Sequence, residues 1–251
     1  MKLKRLQNIA KYISSYDICT YEELCKQFNV SLSTIRRDLD LLESEGKVEK
    51  VFGGVKINND YQIDTGVSAL LEYDYIKDMI AQNAARLVED GDIIMLGSGS
   101  TVAHMIKHLK HKKNVTIITN NLLVLNESLN NSFNVISIGG TLDRNVVSFV
   151  GLDSAKQLDG LNANKCFISC NGVNLHAITN VVDIEADIKK GMIKNSDKTI
   201  LLAGHEKFDK MSLYSFTTIE ETNYIITDKK PNKEYINLCK KAGCELIITG
   251  K

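Results

Sequence analysis

Two stretches of this 251-residue chain hold residue types whose spacing could do chemistry. The first runs from Val30 to Leu39 and reads Val-Ser-Leu-Ser-Thr-Ile-Arg-Arg-Asp-Leu. Its opening hydroxyls, Ser31 among them, can accept from the orphan backbone N–H groups that begin a helix. Ile35, Leu39 and Leu42 recur at i, i+4 and i+7 and make one buried stripe. Ser33, Thr34, Arg36 and Arg37 are then left facing outward on the first turns, where a recognition helix meets base edges and phosphates of duplex DNA. The same pattern would serve an ordinary amphipathic helix with two solvated arginines, so the neighbouring elements have to decide. The second stretch is Gly97-Ser98-Gly99-Ser100-Thr101, set between an apolar run, Ile93 to Leu96, and Val102, Met105, Ile106 and Leu109 at helical spacing. A strand, a loop of glycines and hydroxyls and then a helix can cradle an anion. Small residues let backbone N–H groups approach, hydroxyls add donors, and the helix start favours negative charge. The loop lacks both the G-K-[ST] ending of a P-loop and the G-x-G-x-x-G turn of a dinucleotide site. A plain tight connection between strand and helix would look the same.

The elements around the first stretch favour DNA. Leu6, Ile9, Ala10 and Ile13 repeat at i, i+3, i+4 and i+7, predicting a helix over about residues 3–15. Thr20-Tyr21-Glu22-Glu23 is a capping box that starts a short helix with Leu24 and Phe28 inward. Asn29, tolerant of the left-handed conformation, ends it. The third helix follows at once and stops at Gly46. Three short helices with a tight turn before the third describe a helix-turn-helix. Val48, Val51, Val55 and Ile57 around Gly53-Gly54 then predict a hairpin, a wing that would carry Lys50 or Lys56 to a phosphate. The chain as a whole has 31 basic and 31 acidic residues, but residues 1–57 hold ten against eight, a local charge of +2. That excess is small, so placement of charge matters more than its sum.

Residues 58–75 are polar at first and show no sustained period, as expected of a linker between a DNA-binding domain over 1–57 and a second domain over 76–251. The second domain alternates. A helix is expected from Ile76 to about Gly91. Short apolar strands are expected at Ile93–Leu96, Val115–Ile118, Val135–Ile138, Cys166–Ile168, Ile200–Leu202, Tyr224–Ile226 and Leu246–Ile248. Helices at Ile184–Asn195 and Tyr235–Ala242 lie among them, with the single proline, Pro231, just before the last. Alternating β and α units predict an α/β fold with a mostly parallel sheet and ligand sites at the carboxyl ends of its strands.

Composition fits a soluble protein: 43% of residues are hydrophobic, 25% are charged, and no apolar run approaches a membrane span. The basic start, Met1 to Arg5, is not followed by the apolar core and cleavage site of a secretion signal. Six cysteines, at 19, 25, 166, 170, 239 and 244, form no C-x-x-C pair and no metal-ligand spacing, so reduced thiols in a cytoplasmic protein are expected.

The motifs VSLSTIRRDLDLLESEG and VFGGV resemble the N-terminal signature of DeoR-type bacterial transcriptional regulators. The resemblance continues through the Gly97–Thr101 loop, Thr119-Asn120, Gly139-Gly140, Glu185-Ala186 with Lys189-Lys190, and His205-Glu206-Lys207-Phe208. It implies a winged helix-turn-helix followed by an effector domain with the fold of ribose-5-phosphate isomerase. The expected partners are double-stranded operator DNA, a phosphorylated sugar and further copies of the chain, as a homodimer or homotetramer. DNA contacts are expected from Ser31, Ser33, Thr34, Arg36, Arg37 and Lys50, with Asp38 orienting an arginine or capping locally. Effector contacts are expected from Gly97, Ser98, Gly99, Ser100, Thr101, Thr119, Asn120, Gly140, Glu185 and Lys207. In this assignment Lys207 offers a charge to the phosphate, while Asn120 and Glu185 bond sugar hydroxyls. No metal or catalytic cofactor is implied. Two departures stand out: many members have aspartate where Gly97 and Gly204 stand, so hydroxyl acceptors are expected to be missing. Besides a repressor of a sugar operon, two readings stay open. One is a sugar-phosphate isomerase-like enzyme using Glu185 or Asp183 as base; the other is a constitutive DNA-binding protein.

Overall fold

The computed structural model describes residues 2–13, 18–58 and 74–250. The chain divides into two compact units, 1–66 and 67–251. Most of the expected linker, residues 59–73, lies outside the described residues.

In the first unit α1 (Lys2–Ile13), α2 (Tyr21–Phe28) and α3 (Leu32–Ser44) precede a hairpin of β1 (Val48–Val51) and β2 (Gly54–Ile57). Leu6, Ile9, Ile13, Leu24, Ile35, Leu39, Leu42, Val48 and Val55 form its core, which contains the stripe expected of α3. The capping box is present in both directions. The Thr20 hydroxyl accepts from the Glu23 amide at 3.2 Å, and the Thr20 amide donates to the Glu23 carboxylate at 2.8 Å. Asn29 turns the chain with φ +50°. Gly54 is demanded by close approach, because a Cβ there would lie 2.9 Å from the Cys19 carbonyl carbon. Cys19 and Val55 exchange two backbone hydrogen bonds of 2.9 Å, tying the wing to the segment before α2. Asp38 does hold an arginine, and the partner is Arg5 of the first helix. The guanidinium forks onto the buried carboxylate at 2.7 and 3.1 Å.

The second unit is built on seven parallel strands. In chain order they are β3 (Ile93–Leu96), β4 (Thr116–Thr119), β5 (Asn134–Ser137), β8 (Ala163–Ser169), β11 (Ser196–Leu202), β13 (Tyr224–Thr227) and β14 (Glu245–Ile248). In space the order is β14-β13-β11-β8-β3-β4-β5, every neighbouring pair parallel. The chain therefore builds outward in one direction from β3 and in the other from β8, and the sheet reverses its winding between those two strands. All seven strands expected from apolar runs are there. Two small antiparallel pieces were not expected: a ribbon of β6 (Thr141–Asp143) and β7 (Ser148–Val150), and a sheet of β9 (Gly172–Val173), β10 (Ile178–Asn180) and β12 (Tyr214–Thr217). Their strands run two to four residues, too short for alternation to register.

Helices pack on both sheet faces around separate clusters, one including Ile94, Leu96, Phe167 and Leu202, another Met95, Cys166, Ile188 and Met192. α4 (Tyr75–Ala85) begins one residue before the expected start and ends six before Gly91. Arg86, Leu87 and Val88 then bond back three residues rather than four, so the apolar period outlasts the helix. The helix expected after Thr101 is two pieces, α5 (Ser100–Ala103) and α6 (Ile106–Leu109). Met105 and His108 each donate to the residue three before, and the His104 ring bonds the Ser100 carbonyl at 2.8 Å. All six cysteines are unpaired, and burial pushes the Cys170 thiol up to about 12, far from reactive thiolate. Among the described residues no helix is long and apolar enough to cross a membrane.

The Thr20 cap is the main polar fixture at the start of α2. Thr20→Ala is expected to destabilise the N-terminal unit by about 1 kcal/mol, read as a lower urea midpoint for its own transition.

Candidate functional site

Two surfaces carry unspent polar groups. On α3, Ser33, Arg36 and Arg37 are exposed and Thr34 is half-buried. Among the described residues neither arginine has a hydrogen-bond or ion-pair partner, so both guanidiniums are free for an external anion. Ser31 is spent differently. It is the N-cap, accepting from the Thr34 amide at 3.4 Å and hydrogen-bonded to the Ser33 and Thr34 hydroxyls at 3.0 and 2.9 Å. Lys50 is also committed within the unit, bonded to Asp40 at 2.6 Å and Glu43 at 2.5 Å. Those two carboxylates raise its pKa above the ordinary lysine value. It fastens the wing to α3, and Lys56 is paired with Glu49. What the wing presents at its tip is Phe52, fully exposed. That residue stood inside VFGGV, where no periodicity distinguishes a tip side chain from a strand residue.

The second surface is a cleft of about 540 Å³ at the carboxyl ends of β3, β8 and β11, where the winding reverses. Gly99, Ser100 and Thr101 line it from the loop after β3, Ser169 to Asn171 from that after β8, and Gly204 to Lys207 from that after β11. Gly99 has φ +111°, and a Cβ there would overlap the Ser169 hydroxyl. The Ser169 hydroxyl in turn donates to the Ser98 carbonyl at 2.9 Å. Strand ends thus press on one another and hold the loop.

Beyond α7 (Leu122–Ser128) and α8 (Leu152–Lys156), Glu185 and Lys189 enter from α9 (Asp183–Lys194), four residues apart and so on one helical face. Both are buried, at 6% and 2% exposure. The lysine ammonium lies 3.1 Å from the Glu185 carboxylate and donates to the Ser169 carbonyl at 2.8 Å and the Asn180 side-chain oxygen at 3.1 Å. It also sits 5.3 Å from the centroid of the Phe216 ring. The Ser98 hydroxyl donates to Glu185. Both charges are compensated, as burial demands. One donor facing the cleft is left over: among the described residues, Nδ2 of the buried Asn180 has no partner. On the opposite wall Asp228 accepts from His205 twice, from its amide and from ring Nδ1, each at 2.6 Å. With that proton on Nδ1, Nε2 accepts from Lys229 at 3.0 Å. His205, Glu206 and Asp228 place potential ligand atoms within 4.8 Å of one another, but both Asp228 oxygens already serve His205, and a cation would have to break those bonds.

Of the expected effector residues, Gly99, Ser100, Thr101, Glu185 and Lys207 come together in the cleft. Gly97, Ser98, Thr119, Asn120 and Gly140 are not among the lining residues. Gly97 is sealed between Ile168, the Phe167 carbonyl and Met192. Ser98, buried, acts through Glu185. Thr119 donates to the Leu96 carbonyl at 2.5 Å and Asn120 to the Phe149 carbonyl at 2.9 Å. Gly140, at φ +148°, leaves room for the Val150 carbonyl, which a Cβ would meet at 2.7 Å. These groups are spent on neighbouring backbone instead, although Leu123, Asn145 and Val146 from the segments after β4 and β5 do line the cleft, and the loop after β4 braces the Gly97–Gly99 turn. Asn121 does so directly, donating to the Gly97 and Gly99 carbonyls at 3.0 and 3.1 Å. Asn180 and Asn171 carried no sequence signal, because a three-residue strand and a loop asparagine resemble any turn. Asp183, weighed as a base, is exposed and does not line the cleft, while Glu185 is engaged by Lys189 and Ser98.

Comparison with known proteins covers both units. Residues 5–61 match the family described as "DeoR-like helix-turn-helix domain", and residues 74–229 the one described as "DeoR C terminal sensor domain". The chain is 36% identical over 243 residues to the HTH-type transcriptional regulator IolR of Bacillus subtilis, covering 96% of this chain and 97% of that one. It is 29% identical over 248 residues to the HTH-type transcriptional repressor GlcR of the same organism, covering 98% and 96%. With the lactose phosphotransferase system repressor of Staphylococcus aureus it shares 33% identity over 236 residues, 90% and 92% of the two chains. Among solved structures, ribose 5-phosphate isomerase A of Methanocaldococcus jannaschii aligns with 53% of each chain at 18% identity and a TM-score of 0.39.

The buried pair on α9 sets a stability test. Lys189→Met leaves Glu185 buried without its cation and is expected to cost about 3 kcal/mol. Adding Glu185→Gln should recover much of the loss, both read from urea unfolding of the second unit.

Proposed function

The chain belongs to the DeoR family of helix-turn-helix transcriptional regulators, and on that premise we propose that it represses a sugar-metabolism operon and that a phosphorylated sugar bound in the cleft alters its grip on operator DNA. The observation that carries the effector half is the convergence, at the reversal of the sheet, of the Gly99–Thr101 loop, Lys207 and the unpartnered Asn180 amide. Ser100 and Thr101 open a helix, whose first N–H groups have no partner within it. With the two hydroxyls they offer donors to a phosphate, and Lys207 adds a mobile charge. Asn180 and Glu185 suit sugar hydroxyls, one as donor and one as acceptor. Two of the relatives are repressors by name, one of them of a phosphotransferase system for lactose.

In the DNA half, Ser33, Thr34, Arg36 and Arg37 face the operator, Ser31 sets the start of their helix and Lys50 fixes the wing against it. Regulation requires the effector to bind the DNA-competent and DNA-incompetent arrangements with different affinity. A tenfold release corresponds to about 1.4 kcal/mol of coupling, reciprocal between effector and operator. In a homodimer or homotetramer the spacing of two recognition helices is the variable such coupling would act on, because half-sites lie a fixed distance apart on the duplex.

Fluorescence anisotropy on a fragment from upstream of the protein's own gene, followed by a panel of pentose and hexose phosphates, tests this reading. One phosphate should shift DNA binding selectively; tight binding that none of them moves would remove the effector site. Arg36→Ala is expected to weaken operator binding by about 1–3 kcal/mol and relax specificity at one base pair. An equal loss on every sequence, with a shallower salt dependence, would make it a phosphate contact instead. Ser100→Asp places a carboxylate where the phosphate is to sit and should abolish the effector response.

A further inference from the structure

Gly204 lines the cleft and brings no side chain to it, yet the cleft is not short of a carboxylate there. The backbone at 204 is extended (φ −63°, ψ 155°), a conformation open to any residue, so nothing in the main chain calls for glycine. What takes the space beside it is another side chain. A Cβ at 204 would fall on the Glu206 carboxylate, 2.8 Å from both Cδ and Oε1 and closer still to Oε2. Glu206 has folded back over the bare Cα and put its carboxylate where a side chain at 204 would have been.

The turn that carries it, His205–Lys207, is held from both ends. Asp228 takes the His205 amide and ring nitrogen at 2.6 Å, and the Lys207 amide closes the turn on the Gly204 carbonyl at 2.9 Å. The carboxylate itself is loosely engaged. The nearest basic groups are the His205 ring at 3.9 Å and the Lys207 ammonium at 4.0 Å, and among the described residues it accepts no hydrogen bond. It lines the cleft and is half exposed, with both oxygens open as acceptors. Of the other cleft carboxylates, Asp74 caps α4 and pairs with Lys77, and Glu185 is buried with its Oε1 taken by Ser98 and Lys189. Glu206 is therefore the exposed carboxylate of the cleft, with no hydrogen bond of its own among the described residues.

We propose that Glu206, seated over Gly204, is the specificity residue that accepts from adjacent hydroxyls on the sugar part of the effector, and that residue 204 has no side chain because the carboxylate needs its place. This rests on the cleft being the effector site. A carboxylate accepts from two neighbouring hydroxyls at once, so the class selected is a phosphate ester of a polyhydroxylated carbon chain or ring, in preference to a bare phosphate.

The test uses the full chain and titration calorimetry with fructose 1-phosphate, fructose 6-phosphate, glucose 6-phosphate, ribose 5-phosphate and inorganic phosphate. The reading is the ratio of sugar-phosphate to inorganic-phosphate affinity. Glu206→Gln, which keeps the size and removes the charge, should lower that ratio about tenfold or more, as expected for hydrogen bonds to a charged acceptor. Gly204→Ala should lower it as well, because one methyl group displaces the carboxylate without straining the backbone. A Glu206→Gln protein with the wild-type ratio overturns the proposal and leaves the cleft as the effector site. A wild-type protein that holds none of the four sugar phosphates more tightly than inorganic phosphate overturns both.

Discussion

The parallel pairing of β3 with β8 is the constraint on which the second unit depends. Parallel strands cannot be joined by a hairpin, so each returns through a crossover and all their carboxyl ends lie at one edge. Because the chain grows away from β3 on one side and from β8 on the other, the loops after these two strands splay apart and leave the cleft between them. The pair is fixed at both ends by polar contacts as well as by its ladder. At the amino end Lys165 of β8 reaches Asp92, before β3, in a buried ion pair of 2.6 Å. At the carboxyl end the Ser169 hydroxyl bonds the Ser98 carbonyl, and the Ser98 hydroxyl bonds Glu185. A slip of one residue would turn Lys165 to the other face of the sheet and orphan the two buried charges of its pair with Asp92.

That arrangement explains why the floor of the cleft is polar although it lies over an apolar core. Lys189 and Glu185 are taken out of water only because serine, asparagine and backbone oxygens replace its hydrogen bonds. The network is nearly complete, and its one vacancy on the cleft side is Nδ2 of Asn180. A buried donor left open costs about 1–3 kcal/mol, a cost a hydroxyl-bearing ligand would remove. The upper wall is different in kind. Its groups, Glu206 and Lys207, are half exposed and loosely paired, so they are free to respond to what enters.

In the first unit the near-balance of charge conceals a sorting by direction. Asp38 points inward to Arg5, joining α1 to α3, while Asp40 and Glu43 are taken up by Lys50 of the wing. Asp38 is thus turned away from the surface and Lys50 offsets one of the other two acids, while among the described residues Arg36 and Arg37 stand unpaired on the first turns of α3. A local excess of +2 is enough for nucleic acid when the opposing charges are spent internally.

The sequence alone specified everything whose cause is local. The Thr20–Glu23 box, the left-handed Asn29, the apolar stripe of α3, the Gly-Gly wing and all seven parallel strands were legible because each depends on residues within a turn or a single strand of one another. Helix ends were less so, since the period of α4 outlasts its hydrogen bonding. What the tertiary structure decided is partnership. That Arg5 answers Asp38, that Lys50 is tied down, and that Thr119 and Asn120 spend their side chains on the Leu96 and Phe149 carbonyls without lining the cleft all depend on which elements become neighbours. Strand order is set by packing of whole faces against one another, over separations of tens of residues, and no local spacing of residue types encodes it.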